Sequence, residues 1–220
     1  SRRRLLAGGA AAAGAAGAAW TAAAALHSGD GDGGFGRETV PFYGRHQAGI
    51  DTRPQAHGLF VALDLIPDSR RSADQILQAV LKLWTADAQR LTQGAPALAD
   101  TEPELALRPA RLTLTVGFGP TLFDRVGLGD RRPTSARELP VMAIDRLDPR
   151  WCGGDLLLQI CSDDPLVVSH TARVLLKNVR TLATERWRQA GFRTARGADG
   201  DGATMRNLMG QVDGTVNPAP

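Results

Sequence analysis

Near the end of the 220-residue chain, Gly210, Asp213 and Gly214 stand in the order Gly-x-x-Asp-Gly. Asp213 is a carboxylate that can take and return a proton, the requirement for acid–base work at a reacting atom. A turn is also the commonest use of a dipeptide such as Asp213-Gly214. Val212-Asp213-Gly214-Thr215 matches the second half of the DxDGT signature of phosphoryl transfer, whose first Asp is the nucleophile. Here that place is taken by Gln211, an amide that accepts no phosphoryl group, and Arg206-Asn207-Leu208-Met209-Gly210 is too polar for the apolar strand that must precede the signature. Phosphoryl transfer is therefore excluded.

The remaining reactive residues are few. The four histidines are His27, near the end of the Ala-rich run, His46 and His57, in the entry to the first strand, and His170, farther down the chain. The two cysteines, Cys152 and Cys161, form no CxxC or Cys/His group, which argues against a zinc site. An oxidising compartment permits a disulfide between them, and two buried thiols fit the spacing as well. Asp30 and Asp32 lie in a Gly-rich stretch that lacks the other ligands and the closing Glu of a calcium loop.

Two βαβ passages precede the Asp213 motif. Leu59 to Ile66 is a short apolar run ended by Pro67, which reads as a buried strand. Ser72 and Gln75 make a capping box. Ala73, Ile76, Leu77, Val80, Leu81, Trp84, Ala88 and Leu91 then recur at helical spacing until Gly94. Leu112, Leu114 and Val116 alternate with Thr113 and Thr115, a strand, and Thr121 to Val126 suits a short helix. Gly154 to Ser162 reads as the third strand. Asp164 and Pro165 open a second long helix, predicted over residues 164–185, with Val168, Ala172, Leu175, Val179 and Leu182 on one face. A weaker fourth strand falls at Arg186 to Ala195. The order βαββαβ predicts an α+β fold of the ferredoxin-like kind, one antiparallel sheet with both long helices on a single face.

Four stretches together resemble the dye-decolourising (DyP-type) haem peroxidases, in particular their secreted, deferrochelatase-related branch. They are Phe42-Tyr43-Gly44-Arg45-His46-Gln47-Ala48-Gly49-Ile50, Leu114-Thr115-Val116-Gly117-Phe118-Gly119, Cys152-Gly153-Gly154-Asp155-Leu156-Leu157-Leu158-Gln159-Ile160, and Arg206 to Pro218 with the Gly210-x-x-Asp213-Gly214 motif. The resemblance runs over nearly all of residues 40–220. It implies two ferredoxin-like halves with haem b between sheet and helices, of which this chain carries the first. It implies that Asp213 is the catalytic acid–base group above the iron, where the inner oxygen of hydrogen peroxide must lose a proton and the departing oxygen gain one. The neighbouring glycines let backbone approach the haem closely, and Gly214, Thr215 and Val216 line the haem edge. The iron-binding His and a distal Arg lie downstream of this motif in the family, so none of the four histidines matches the ligand position and no metal ligand is expected in the chain. On that ground the sequence reads as a truncated product or fragment. The implied partners are hydrogen peroxide and either a bulky organic reductant or haem whose iron is released; a homo-oligomer is compatible with the family. The ferredoxin-like pattern taken without the family also suits a non-catalytic binding module or an inactive haem-binding remnant.

Composition bears on location and partners. Ser1-Arg2-Arg3-Arg4-Leu5-Leu6 followed by an uncharged Ala/Gly-rich run to Leu26 has the three parts of an export signal, and its arginine pair is of the twin-arginine type. The predicted organisation is a signal at 1–27, a flexible linker at 28–39 and the peroxidase-like unit at 40–220. The run barely reaches spanning length and Ala and Gly enter lipid weakly, so a stable membrane anchor is not expected. Removing Arg2, Arg3 and Arg4 from the 26 basic residues leaves 23, equal to the 23 acidic ones. No basic stripe with interleaved aromatics exists, so nucleic acid is not an expected partner.

Overall fold

The computed structural model describes residues 34–198, 200 and 204–212; the predicted signal segment and Asp213, Gly214, Thr215 and Val216 lie outside them. Within the compact unit that begins at Gly36, the elements follow the order β1 (His57–Leu65), α1 (Ala73–Leu91), β2 (Thr113–Phe118), α2 (Pro120–Arg125), β3 (Leu156–Ser162), α3 (Pro165–Val179) and β4 (Ala183–Phe192). The strands form one sheet in the order β2-β3-β1-β4 with every neighbouring pair antiparallel. This is the ferredoxin-like arrangement predicted from the sequence.

Strand alternation decides which face is covered. Leu59, Val61, Leu63 and Leu65 of β1 lie on one face, opposite Ile160, Leu158 and Leu156 of β3 in register. They share a single buried cluster with Leu114, with Ile76, Val80, Trp84, Ala88 and Leu91 of α1, and with Val168, Ala172, Leu175 and Val179 of α3. Both long helices therefore cover the same face. Each fully buried Leu, Val or Ile contributes roughly 1.5–3 kcal/mol relative to exposure, so this face is the main source of stability. Trp84 donates its indole N–H to the Leu175 carbonyl at 3.3 Å, and Asn178 donates to Asp87 at 2.8 Å, which locks α1 against α3.

Local signals place the helix starts. Ser72 N donates to Gln75 Oε1 at 3.1 Å as the capping box requires, and Leu166 N donates to Asp164 Oδ1 at 2.8 Å ahead of Pro165. The helix end differs from expectation. α3 stops at Val179 rather than near residue 185, and β4 starts at Ala183 rather than Arg186. Leu182 N turns back onto the Val179 carbonyl at 2.7 Å, and Ala183, Thr184 and Glu185 pair with Leu65, Asp64 and Leu63. Leu182 fits the helical period of α3, but the chain must reverse there to reach β1, and strand pairing outweighs two more helical turns.

The segment before β1 wraps the other side. Gln47 brackets the free edge of β2, donating from Nε2 to the Val116 carbonyl at 3.0 Å and accepting from Val116 N at 2.9 Å. Its amide thus stands in for an adjoining strand. Thr115 Oγ1 donates to the Ala48 carbonyl and Gln159 Nε2 to the Gly49 carbonyl, on the face away from the helices. Gly49 has φ +101° and a Cβ there would lie 2.3 Å from Thr115 Oγ1, so only glycine fits this crossing. Gly36 and Glu38, which composition places in a linker, are tied to the unit: Ala110 N donates to the Gly36 carbonyl and Arg111 N to the Glu38 carbonyl. Among the described residues no helix is long and apolar enough to cross a membrane.

Candidate active site

The first part of the Gly-x-x-Asp-Gly motif sits on a small hairpin. Arg206 pairs with Val212, Asn207 N donates to the Gln211 carbonyl at 2.9 Å, and Gly210 N donates to the Asn207 carbonyl at 2.9 Å. The Asn207 side chain organises the turn, its Oδ1 accepting from Met209 N at 3.0 Å and Gln211 N at 3.1 Å, the self-capping for which Asn is favoured in turns. Gly210 takes φ +81°, a left-handed conformation that a side chain would strain. Arg206 Nη1 donates to the Gly210 carbonyl at 2.8 Å. Leu208 and Met209 are 88% and 84% exposed, so the turn tip makes no core of its own. The motif's first glycine is thus required by backbone geometry.

The other sequence candidates are scattered. His46 is exposed and His57 half-buried at the start of β1. His170 is buried in α3, its Nε2 3.0 Å from Asp100 Oδ1. Cys152 and Cys161 are free thiols. Burial pushes the Cys161 thiol pKa up, which makes it a poor nucleophile, and Cys152 Sγ donates to the Asp148 carbonyl at 3.3 Å.

Open clefts lie on the unit, among them two within the described residues. One, of about 700 Å³, runs along the outer side of α1 between Leu77, Leu81, Thr85, Gln89, Val126 and Leu128. The other, of about 250 Å³, lies between Gly117, Phe118 and Gly119, the Gly153-Gly154 pair, Leu157 and Trp187. Neither is lined by a histidine, cysteine, methionine or tyrosine.

The Dyp-type peroxidase, N-terminal family profile matches residues 47–193. The chain belongs to the DyP-type peroxidase family. It is 40% identical over 178 residues to the dye-decolorizing peroxidase of Thermobifida fusca, covering 79% of this chain and 41% of that protein. It is 37% identical over 193 residues to the deferrochelatase of Escherichia coli K12, covering 82% of this chain and 45% of the relative. Among solved structures, the DyP-type peroxidase of Cellulomonas bogoriensis superposes with a TM-score of 0.80 at 51% identity, over 86% of this chain and 52% of that one. Ferric DtpA of Streptomyces lividans gives 0.77 at 40% identity, over 84% and 50%. The chain spans about half the length of the relatives it matches.

Family membership implies haem, and the described residues do not by themselves fit one. His170 is enclosed with Asp100, and the two clefts, lined by neither His46 nor His57, carry none of the usual axial ligands. The described residues instead bring together side chains that periodicity did not single out. Asp100, Glu102 and His170 converge from a loop and a helix. Asp155, at the foot of β3, accepts from Leu65 N at 2.8 Å and from Arg125 of α2, whose Nη2 also donates to the Leu65 carbonyl at 2.6 Å. The sequence signal for Asp155 was its place in the Cys-Gly-Gly-Asp block; Asp100 and Glu102 carried none beyond being acidic residues in a loop.

Proposed function

We propose that this chain supplies the N-terminal module of an exported haem b peroxidase that uses hydrogen peroxide to oxidise a bulky organic substrate, or acts on haem itself with release of its iron. The observation that carries the reading is the 51% identity to a DyP-type peroxidase over 86% of the chain, with the fold in common. The relatives favour an enzyme over the non-catalytic module that the ferredoxin-like pattern also allows. One is a deferrochelatase and another a dye-decolorizing peroxidase, which supports both substrate classes.

When bound, haem carries the redox chemistry, and protein groups position and tune it. The part this chain plays is the proton. In this reading Asp213 would take a proton from hydrogen peroxide and return it to the oxygen that leaves as water, while the haem would supply the electrons that break the O–O bond. One carboxylate serves as base and then acid. Asp213 follows in sequence the hairpin that ends at Val212, whose turn is closed by hydrogen bonds of Asn207 with Gly210 and Gln211. Gly214, Thr215 and Val216 border the haem in this reading.

The test is Asp213→Asn in the intact, haem-loaded protein, which keeps the size of the side chain and removes its basicity. Rapid mixing with peroxide, followed by the haem absorbance, is expected to show a rate lower by about 10²–10⁴-fold at unchanged haem content. A variant that reacts as fast as wild type makes Asp213 a turn residue and overturns its assigned role.

A further inference from the structure

The loop between α1 and β2 carries Asp100 and Glu102, and α3 carries His170, 70 residues beyond Asp100. The side chains of His170 and Asp100 are 1% and 0% exposed. One carboxylate oxygen of each acid and a ring nitrogen of His170 lie within 4.8 Å of one another. Asp100 Oδ1 faces His170 Nε2 at 3.0 Å and accepts from Glu102 N, also at 3.0 Å. Asp100 Oδ2 is buried with no hydrogen-bond partner. A buried carboxylate oxygen with nothing opposite it is costly, and native interiors rarely leave one. The oxygen therefore calls for a positive or proton-bearing group that the protein side chains do not provide.

We propose that Asp100, Glu102 and His170 bind a divalent transition metal ion of the zinc class, which pins the loop before β2 onto α3. An imidazole with two carboxylates is a donor set that suits zinc and its neighbours. Tetrahedral ligands at bonds of roughly 2.1 Å sit roughly 3.4 Å apart, so His170 and Asp100, 3.0 Å apart, need part by only roughly a few tenths of an ångström to admit the ion. The two carboxylates bring negative charge to the dication, part of it already offset by Arg173 at Glu102, and His170 binds as the neutral ring that a ligand must be. Outer partners are in place, since Glu102 Oε2 accepts from Arg173 Nη2 at 2.7 Å and from Thr101 Oγ1 at 2.8 Å. Glu102, 37% exposed at its side chain, is the member that gives an ion a way in. The cluster lies among residues that the peroxidase reading does not use, and it contains no cysteine, which is why Cys spacing gave no hint of it.

The test uses the 220-residue chain stripped with a chelator and titrated with Co²⁺, whose visible absorption reports coordination and is separable from haem iron. The expected result is one equivalent bound, displacement of Co²⁺ by Zn²⁺, and a rise in thermal midpoint with added Zn²⁺. Asp100→Asn and Glu102→Gln are expected to weaken Co²⁺ binding at least as much as Arg173→Gln, which removes an outer partner and should cost roughly 10–100-fold. Glu104→Gln, in the same loop, should leave it unchanged. Because Glu102 is partly exposed, its Gln variant keeps the fold even where the Asp100 variant does not. No stoichiometric Co²⁺ uptake by the wild-type chain, or uptake that survives Glu102→Gln unchanged, overturns the site and leaves a protonated or watered Asp100–His170 pair.

Discussion

Asp163 shows how a single carboxylate holds the lead-in segment, β2 and β3 together. Its Oδ2 accepts from Arg111 Nε at 2.6 Å and its Oδ1 from Arg111 Nη2 and Ala56 N, both at 3.0 Å. Its side chain is 1% exposed and that of Arg111 15%. Burial pushes the Asp163 carboxyl upward, but the hydrogen bonds from Arg111 and Ala56, with the charges of Arg111 and Arg196, outweigh it and hold the pKa below the usual range. At Glu38 burial also pushes up, and its own backbone N–H, Arg196 and Gly36 N–H push further down. Both carboxyls are depressed in the folded state, so both stabilise fully above the ordinary carboxylate values of about 3.9–4.3. That contribution is lost as pH falls through the lower folded values. Asp163→Asn leaves Arg111 without its counter-charge and is expected to lower unfolding free energy by about 3 kcal/mol near neutral pH. Urea melts at a series of pH values should show the gap to wild type closing below about pH 4; a gap that is constant down to strongly acidic pH removes Asp163 from this role.

At the scale of elements, the passage from β2 into α2 depends on one glycine. Gly119 has ordinary backbone angles, yet a Cβ there would lie 2.0 Å from the Gly154 carbonyl oxygen, an atom of the backbone that cannot swing aside. The reason is the close approach of two turns, fixed by Gly119 N donating to the Asp155 carbonyl at 2.9 Å and by Asp155 N donating to the Leu63 carbonyl at 2.9 Å. Gly119→Ala is expected to destabilise by about 1–3 kcal/mol through overpacking. Gly191→Ala, where nothing lies within 4 Å of the added atom, is the control and should change stability by less than roughly 1 kcal/mol. Equal denaturation midpoints for the two variants would refute the contact.

Two expectations belong to the molecule as a whole. The first is that haem iron takes no ligand from the described histidines. His46→Ala and His57→Ala in the haem-loaded protein should leave the ferric absorption spectrum unchanged, because neither ring lines either of the two clefts described and His46 is exposed. A spectrum that loses its His-ligated form in either variant places the ligand in this module after all. The second concerns the proposed export signal. Arg2→Lys with Arg3→Lys should block passage through the twin-arginine route while the folded protein accumulates inside the cell. Cell fractionation with an antibody decides it, and unchanged export through that route sinks the assignment.

The sequence by itself determined the elements and the family. Strand alternation at Leu112, Leu114 and Val116, the helical stripe from Ile76 to Leu91 and the caps at Ser72 and Asp164 are short-range signals, each set by chain stereochemistry and by which side must be dry. Where a long-range contact competes with a local period, the sequence misplaces the boundary: Leu182 continues the stripe of α3, yet pairing of Ala183 with Leu65 ends the helix. The tertiary structure alone decided which distant polar groups meet. Gln47 on the edge of β2, Asp163 on Arg111, and Asp100 with Glu102 against His170 are separated by 52 to 70 residues. Their meeting depends on how the sheet order folds loops over helices, and no local spacing records it.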